Sequence, residues 1–206
     1  KVIKVDFKYL SVNTICNRDL MQRDFKIRVE NIVASATTNV AIPLEKIVSK
    51  IEGMEYEPEQ FPGLVYRMDK PKAAALIFGS GKIVCTGARS ITDVKAAFKI
   101  VVKVIEAVRV RVPRNFRTQI ENIVASARLD AKLNLDKIAF KLENSEYEPE
   151  QFPGLVYRMT DPKVAFLLFG SGKVVCTGGR SVNDVKIAVD KLYLRLRKLK
   201  GAMTKE

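Results

Sequence analysis

Paired carboxylates are the first groups in this sequence whose type and spacing could do chemistry. Glu57 with Glu59, and Glu148 with Glu150, have the close spacing that acid–base catalysis or metal binding can use. No other type of metal ligand clusters with them in the sequence. We therefore predict no metal site, and a solvated turn is the alternative interpretation of Glu57 and Glu59.

A glycine-rich loop offers a second kind of chemistry, the binding of phosphate. Gly79, Ser80, Gly81 and Lys82 resemble part of a nucleotide-binding loop. That motif needs a longer glycine spacing and a helix directly after it, whereas an alternating strand pattern follows Lys82 here. The sequence therefore predicts a hairpin turn at this loop.

Most catalytic classes lack their central residue in this chain. Histidine is absent from the sequence, which removes the commonest general base and metal ligand. The three cysteines, Cys16, Cys85 and Cys176, have no metal-binding spacing, and we interpret them as reduced thiols. The first residues also lack the apolar core of a secretion signal. We predict an intracellular protein that is not an enzyme and needs no cofactor.

Charge points to an anionic partner. Lys and Arg number 36 against 23 Asp and Glu, which gives a formal net charge of +13. Such a balance attracts nucleic acid or an anionic membrane surface. The excess is spread over the body of the chain rather than concentrated in a tail, and no apolar run is long enough to span a membrane.

An internal repeat organises the chain. Residues 55–68 recur without change at 146–159, and four further motifs recur at the same offset of 91 residues. The connection at 108–116 is too short and too apolar for a flexible tether. We therefore expect one fused body with an internal two-fold axis. The predicted parts are an N-terminal extension of unknown role and two repeats, at residues 1–24, 25–115 and 116–206.

Each repeat contains the same predicted series of strands and helices. In the first repeat, strands are predicted at 26–37, 64–69, 72–78 and 82–86, helices at 42–53 and 91–108, and a turn-rich segment at 55–63. In the second repeat, strands are predicted at 117–128, 155–160, 163–169 and 173–177, and helices at 133–144 and 182–200.

The predicted strands are apolar on both faces. In strand 72–78, Leu76 and Phe78 lie on one face, while Ala75 and Ile77 lie on the other. Two helices in each repeat can cover one face of a sheet but hardly both. The second face is therefore a sandwich core, a dimer interface or an exposed binding surface, and the pattern alone leaves these three open.

The repeated motifs resemble the core of TATA-box-binding proteins. Four of them occur in order in both halves: Asn-Ile-Val-Ala-Ser, the run from Tyr56 to Met68, Pro-Lys before an apolar run ending in Phe, and Ser-Gly-Lys with Val and Thr-Gly after it. The match spans residues 26 to about 200. Near-identity of the two repeats is typical of archaeal members of the family.

The resemblance implies an α+β fold in which the tandem repeats form a pseudo-two-fold saddle. A curved ten-stranded antiparallel sheet would present its concave face to the DNA minor groove, and four helices would cover the convex face. Such a protein is a general transcription initiation factor that binds TATA-box promoter DNA, bends it and recruits the transcription machinery.

The resemblance also assigns roles to particular residues. The residues that would insert between bases are Phe61, Phe78, Phe152 and Phe169. Those that would contact the minor groove are Asn31, Val33, Leu76, Val84, Thr86, Asn122, Val124, Leu167, Val175 and Thr177. Those that would contact DNA phosphates are Arg67, Ser80, Lys82, Arg89, Arg158, Ser171, Lys173 and Arg180.

Partners follow from the same resemblance. Glu148 and Glu150 lie in the loop that contacts transcription factor B in this family, and RNA polymerase machinery and self-dimerisation through the concave face are further expectations. The protein would act at the chromosome, in the cytoplasm of an archaeon or the nucleus of a eukaryote. A different class of function remains: a protein-interaction or dimerisation module that uses the apolar sheet face without DNA.

Overall fold

The computed structural model describes residues 25–204, so the predicted extension at 1–24 and Cys16 lie outside the described residues. The first repeat contains β1 (Arg28–Thr37), α1 (Leu44–Val48), β2 (Met54–Glu55), β3 (Gly63–Met68), β4 (Ala73–Phe78), β5 (Lys82–Ala88) and α2 (Ile91–Ala107). The second contains β6 (Arg117–Arg128), β7 (Lys132–Leu133), α3 (Leu135–Lys141), β8 (Ser145–Glu146), β9 (Leu155–Thr160), β10 (Lys163–Leu168), β11 (Lys173–Gly179), α4 (Val182–Lys198) and β12 (Met203–Thr204).

Ten of these strands form an antiparallel sheet, with the order β2-β3-β4-β5-β1-β6-β11-β10-β9-β8. The order within the first repeat is the mirror of the order within the second. β12 pairs with β7 in a separate two-stranded sheet. The tandem repeats, the ten antiparallel strands and the four helices confirm the fold class that the sequence predicts.

The described residues divide into two compact units. Unit 1 contains residues 31–121, and unit 2 contains residues 25–30 and 122–204. In unit 1 the long helix α2 contacts β4 and β5, and in unit 2 α4 contacts β11. Buried apolar residues line these contacts, among them Phe98 and Ile83 in unit 1 and Leu192 and Val174 in unit 2. Each unit therefore has its own helix-on-sheet core.

Local sequence explains where the long helices begin. The Ser90 hydroxyl accepts a hydrogen bond from the Asp93 N–H at 3.0 Å, and the Ser181 hydroxyl accepts one from the Asp184 N–H at the same distance. The Asp184 carboxylate in turn accepts from the Ser181 N–H, which completes a capping box. Both long helices end within two residues of their predicted limits.

The short helices are shorter than the sequence predicts. The helix predicted at 42–53 is the single α1 of five residues; in the turn that follows, the Ile47 carbonyl accepts from both the Lys50 N–H at 3.1 Å and the Ile51 N–H at 2.9 Å. The helix predicted at 133–144 begins only at Leu135, where the Asn134 side chain caps it. Leu133 instead pairs with Met203 in the small sheet.

Four strands of two residues each were not predicted: β2, β7, β8 and β12. Two residues are too few to show alternation, so pattern reasoning has no signal for them. β2 and β8 fall at or beside the segments interpreted as turns, and they form the two ends of the ten-stranded order.

The cysteines of the described residues, Cys85 and Cys176, are free and buried. Burial raises the pKa of Cys85 to about 11 and that of Cys176 to about 12. Both thiols are therefore protonated at neutral pH, in agreement with their interpretation as inert reduced cysteines. Among residues 25–204, no helix is both long and apolar enough to cross a membrane.

Candidate nucleic-acid interface

The sheet of each unit has a helix-facing side and a half-exposed side. Along β4, Ala75 and Ile77 are fully buried beneath the helices, whereas Leu76 and Phe78 between and beside them stay partly exposed. The helices thus cover one side only, as the sequence analysis predicts for two helices per repeat. We call the partly exposed side of each unit its half-exposed face.

The residues predicted to contact a minor groove lie together on these faces. Each is partly exposed: Asn31, Val33, Leu76, Val84 and Thr86 in unit 1, and Asn122, Val124, Leu167, Val175 and Thr177 in unit 2. Strand register makes them neighbours, since Leu76 lies opposite Val84 and Leu167 lies opposite Val175. Each face is therefore a small apolar surface with one asparagine and one threonine.

The asparagine of each face is held in one orientation. The Oδ1 atom of Asn31 accepts a hydrogen bond from the Gly87 N–H at 2.7 Å, and its Nδ2 atom lies 3.3 Å from the Thr86 hydroxyl. In unit 2, Asn122 makes the same contacts with Gly178 at 2.7 Å and Thr177 at 3.2 Å. The oxygen is thereby used within the protein, while the NH₂ group has two protons and gives one to threonine. The second proton of each NH₂ group is therefore available to a ligand on the half-exposed face.

Glycine makes this arrangement sterically feasible. Gly87 and Gly178 have φ values of 90° and 102°, a region that side chains rarely adopt. A Cβ on Gly178 would lie 3.2 Å from the Lys163 carbonyl oxygen and 3.3 Å from the Val164 Cα on the neighbouring strand. The glycine N–H groups that hold the asparagines belong to the repeated Thr-Gly dipeptide. The sequence showed this dipeptide in both repeats, but its contact with the asparagine was not predicted.

The four phenylalanines form two aromatic pairs. The ring centroids of Phe61 and Phe78 are 5.7 Å apart in unit 1, and those of Phe152 and Phe169 are 6.1 Å apart in unit 2. The loop residues are the more accessible, since Phe61 is 37% exposed and Phe152 is 42% exposed. Each pair joins a residue of the loop before β3 or β9 to a residue at the end of β4 or β10.

A glycine beneath each pair gives the rings room. A Cβ on Gly154 would lie 2.5 Å from one edge of the Phe152 ring and 3.1 Å from the Phe169 ring. The loop is shaped by a turn in which the Phe152 N–H donates to the Glu148 carbonyl at 2.9 Å. The aromatic pairs are therefore presented at the surface by local backbone geometry and are not part of the helix-facing core.

The acidic loop residues Glu57, Glu59, Glu148 and Glu150 are all exposed. In the described residues, no group of acidic, cysteine or histidine side chains could hold a metal ion. Because they are exposed, these carboxylates are accessible to another molecule.

The predicted phosphate ligands are also at the surface: Arg67, Ser80, Lys82 and Arg89 in unit 1, and Arg158, Ser171, Lys173 and Arg180 in unit 2. Arg67 forms an ion pair with Glu55 at 3.3 Å, and Arg158 forms one with Glu146 at 3.7 Å. The sequence did not indicate these partners. Because both pairs are exposed, they contribute little to stability and can be exchanged for another anion at small cost.

The glycine-rich loop is a hairpin turn, as predicted. The Gly81 N–H donates to the Phe78 carbonyl at 2.9 Å between β4 and β5, and Gly172 makes the same bond to Phe169. No helix follows either loop directly, so the nucleotide-loop interpretation fails for these residues.

A family model described as transcription factor TFIID, or TATA-binding protein, matches residues 26–108 and 117–199. The TATA-box-binding protein of Methanothermobacter thermautotrophicus is 56% identical over 176 residues, which cover 85% of this chain and 97% of the relative. That of Archaeoglobus fulgidus is 51% identical over 179 residues, which cover 86% and 98%. These relatives are archaeal, as the sequence motifs predict.

A solved structure of Methanococcus jannaschii TBP is similar in both sequence and fold. It superimposes with a TM-score of 0.79 at 48% identity, over 84% of this chain and 98% of that chain. The similarity in fold therefore extends over both repeats of the described structure.

The glycine beside each asparagine gives a stability test. Gly178→Ala should lower the free energy of unfolding through about 1–2 kcal/mol of backbone strain and the added clash with Lys163 and Val164. Gly53→Ala is the matched control, because Gly53 also has a positive φ of 78° but no atom within 4 Å of an added Cβ. Denaturant unfolding should show a loss about 1 kcal/mol larger for Gly178→Ala. Equal losses would mean that the close approach of the strands is unimportant.

Proposed function

Because the chain belongs to the TATA-binding protein family, we propose that it is a general transcription initiation factor that binds the minor groove of TATA-box promoter DNA. We propose further that it bends this DNA with its phenylalanines and recruits transcription factor B and RNA polymerase. The observation that carries the proposal is the oriented asparagine amide on an apolar face, present in both units.

The family consists of DNA-binding transcription factors and not of enzymes, and the chain is accordingly no enzyme. Its action must therefore be explained by binding and by deformation of the DNA.

Hydrogen bonding favours the minor groove at A·T pairs. The groove floor there offers only acceptors, adenine N3 and thymine O2. In each unit the asparagine oxygen already accepts from a glycine N–H, so the amide meets the duplex with its donor. A donor facing an acceptor-only floor fits without leaving either group unsatisfied.

Shape favours the same base pairs. A G·C pair places an amino group in the minor groove, where it would project against the valine and leucine side chains of the half-exposed faces. These side chains have no acceptor to satisfy that group, so its burial would be costly. The apolar residues therefore select against G·C by exclusion, while the asparagines favour A·T by donation.

Bending is assigned to the aromatic pairs. Apolar wedges between base steps, which minor-groove proteins including this family use, cost a few kcal/mol of lost stacking and allow bent DNA to contact more protein. Phe61 and Phe152 are the exposed members of their pairs, while Phe78 and Phe169 support them from the adjacent strand end. Each pair is thus a wedge built from two rings.

The phosphate contacts are assigned to the exposed basic and hydroxyl residues of the two repeats. Arg67 and Arg158 would exchange their exposed glutamate partners for phosphates when DNA binds. Such contacts position the duplex but carry no base information. They also make the affinity fall as salt rises, because bound counterions are released from DNA.

Base pairs that differ in the guanine amino group of the minor groove test the minor-groove proposal. The protein should bind an A·T-rich duplex tightly, lose most of that affinity when its central pairs become G·C, and regain it when they become inosine·cytosine. Inosine lacks the guanine amino group but presents the same major-groove edge as guanine. The measurement is fluorescence anisotropy at fixed salt. Equal binding to all three duplexes would contradict the proposal, because it would show that the minor groove is not read, and no binding to any of them would favour the interaction module.

Removing the wedge should remove the bend. Phe152→Ala with Phe169→Ala should reduce DNA bending in an end-to-end energy-transfer assay and should weaken binding by tenfold or more, since about 1.4 kcal/mol corresponds to each tenfold change. Phe140→Ala is the matched control, because Phe140 is 90% exposed on α3 and is not part of either pair. A full bend in the double variant would contradict the assignment.

Charge reversal in the two equivalent loops tests the partner assignment. Glu148→Arg with Glu150→Arg should leave binding to the A·T-rich duplex intact but abolish the ternary complex with transcription factor B in a mobility-shift assay. Glu57→Arg with Glu59→Arg is the matched control in the same motif of the first repeat and should retain the ternary complex. If both double variants behave alike, the loops are not distinguished by this partner.

A further inference from the structure

Unit 2 contains a basic cleft at the ends of three strands. It has a volume of about 210 Å³ and is lined by Lys26, Arg28, Ser126, Ala127, Arg128 and Lys173. β1 begins at Arg28, β6 ends at Arg128 and β11 begins at Lys173, and Lys173 lies directly opposite Arg128 in the strand register. Strand pairing, together with the hydrogen bond from the Arg128 N–H to the Phe25 carbonyl at 3.0 Å, thus brings four cations to one opening.

The cleft continues the half-exposed face of unit 2. Ser126 follows Asn122 and Val124 at alternate positions of β6, so all three side chains share one side of the strand. Its hydroxyl donates to the Glu30 carboxylate at 2.6 Å, which places a carboxylate beside the cleft. Four of the six residues that line the cleft are cationic and none is acidic.

We propose that Lys26, Arg28 and Arg128, together with Lys173, form a phosphate-binding site for the DNA backbone. Of these, only Lys173 is among the phosphate contacts that family resemblance predicts. Arginine supplies a planar pair of donors that fits two phosphate oxygens, and lysine adds a point charge. The inference rests on the proposed function, because the occupant is the backbone of the duplex bound by the adjoining face.

The first repeat has a weaker version of this site. At the offset of 91 residues, Lys26, Arg28, Arg128 and Lys173 correspond to Arg117, Gln119, Thr37 and Lys82. The carboxylate is retained there, since Ser35 donates to Glu121 at 2.5 Å as Ser126 does to Glu30. The two sets therefore differ by two cations, at the positions of Arg28 and Arg128, and unit 2 holds the DNA backbone more strongly.

Exchanging residues between the matched positions tests the site. Arg28→Gln with Arg128→Thr gives unit 2 the residues of unit 1, and Thr37→Arg with Gln119→Arg does the reverse. Each phosphate contact adds about 0.9 to the slope of log affinity against log salt for duplex DNA. The first double variant should lower this slope by about 2, and the reverse double variant should raise it by about 2.

A charge-matched control separates a local contact from a general loss of charge. Lys99→Gln with Lys103→Gln removes two exposed cations from α2 and should leave the slope near that of the unaltered protein on a short duplex. Thermal unfolding of every variant shows that the fold is retained, which is expected because Arg28 and Arg128 are exposed.

The outcomes distinguish this inference from the proposed function. If the unaltered protein shows no preference for the A·T-rich duplex, the proposed function fails. If that preference is present but Arg28→Gln with Arg128→Thr leaves the slope unchanged, or lowers it no more than the α2 control does, the cleft binds no phosphate. A slope lowered by about 2 in that variant alone supports the site.

Discussion

One-sided packing is the constraint on which the candidate interface depends. In each unit the helices bury one side of the strands, so Ile77 and Ile83 are inaccessible while Leu76 and Val84 next to them remain partly exposed. Successive residues of a strand point to opposite sides, so a slip of one position would exchange the two sets. The hairpin between β4 and β5 fixes this register, and with it which apolar residues a ligand can reach.

A polar group within an apolar surface normally makes burial costly, and the asparagine avoids this cost through its neighbours. Asn31 satisfies its acceptor with the Gly87 N–H and shares its donor with Thr86. When a duplex covers the face, only the donor needs a partner, and an A·T pair supplies one. The left-handed backbone at Gly87 therefore belongs to the proposed recognition chemistry, although the residue has no side chain to contact a base.

The long elements were predictable from pattern because their signals are long and repeated. The strands of six or more residues, the two long helices and the alternation along β4 all follow from pattern, and the 91-residue offset supplied a second copy of each. The ten-stranded sheet itself was predicted from the family resemblance. Local geometry was not predictable in the same way. The two-residue strands show no periodicity, the turn after α1 is set by two N–H groups that share the Ile47 carbonyl, and the bond from Gly87 to Asn31 joins residues 56 positions apart.

The base pairs alone cannot fix the orientation of a repeated protein along the DNA. A·T and T·A pairs offer nearly the same acceptors in the minor groove, so two half-exposed faces with matching residues read composition without reading orientation. Orientation must then come from positions where the repeats differ. The replacement of Gln119 and Thr37 by Arg28 and Arg128 at the matched positions is one such difference, and it acts on the backbone rather than on the bases. In the proposed complex, recognition and orientation are therefore assigned to separate residues of the same strands.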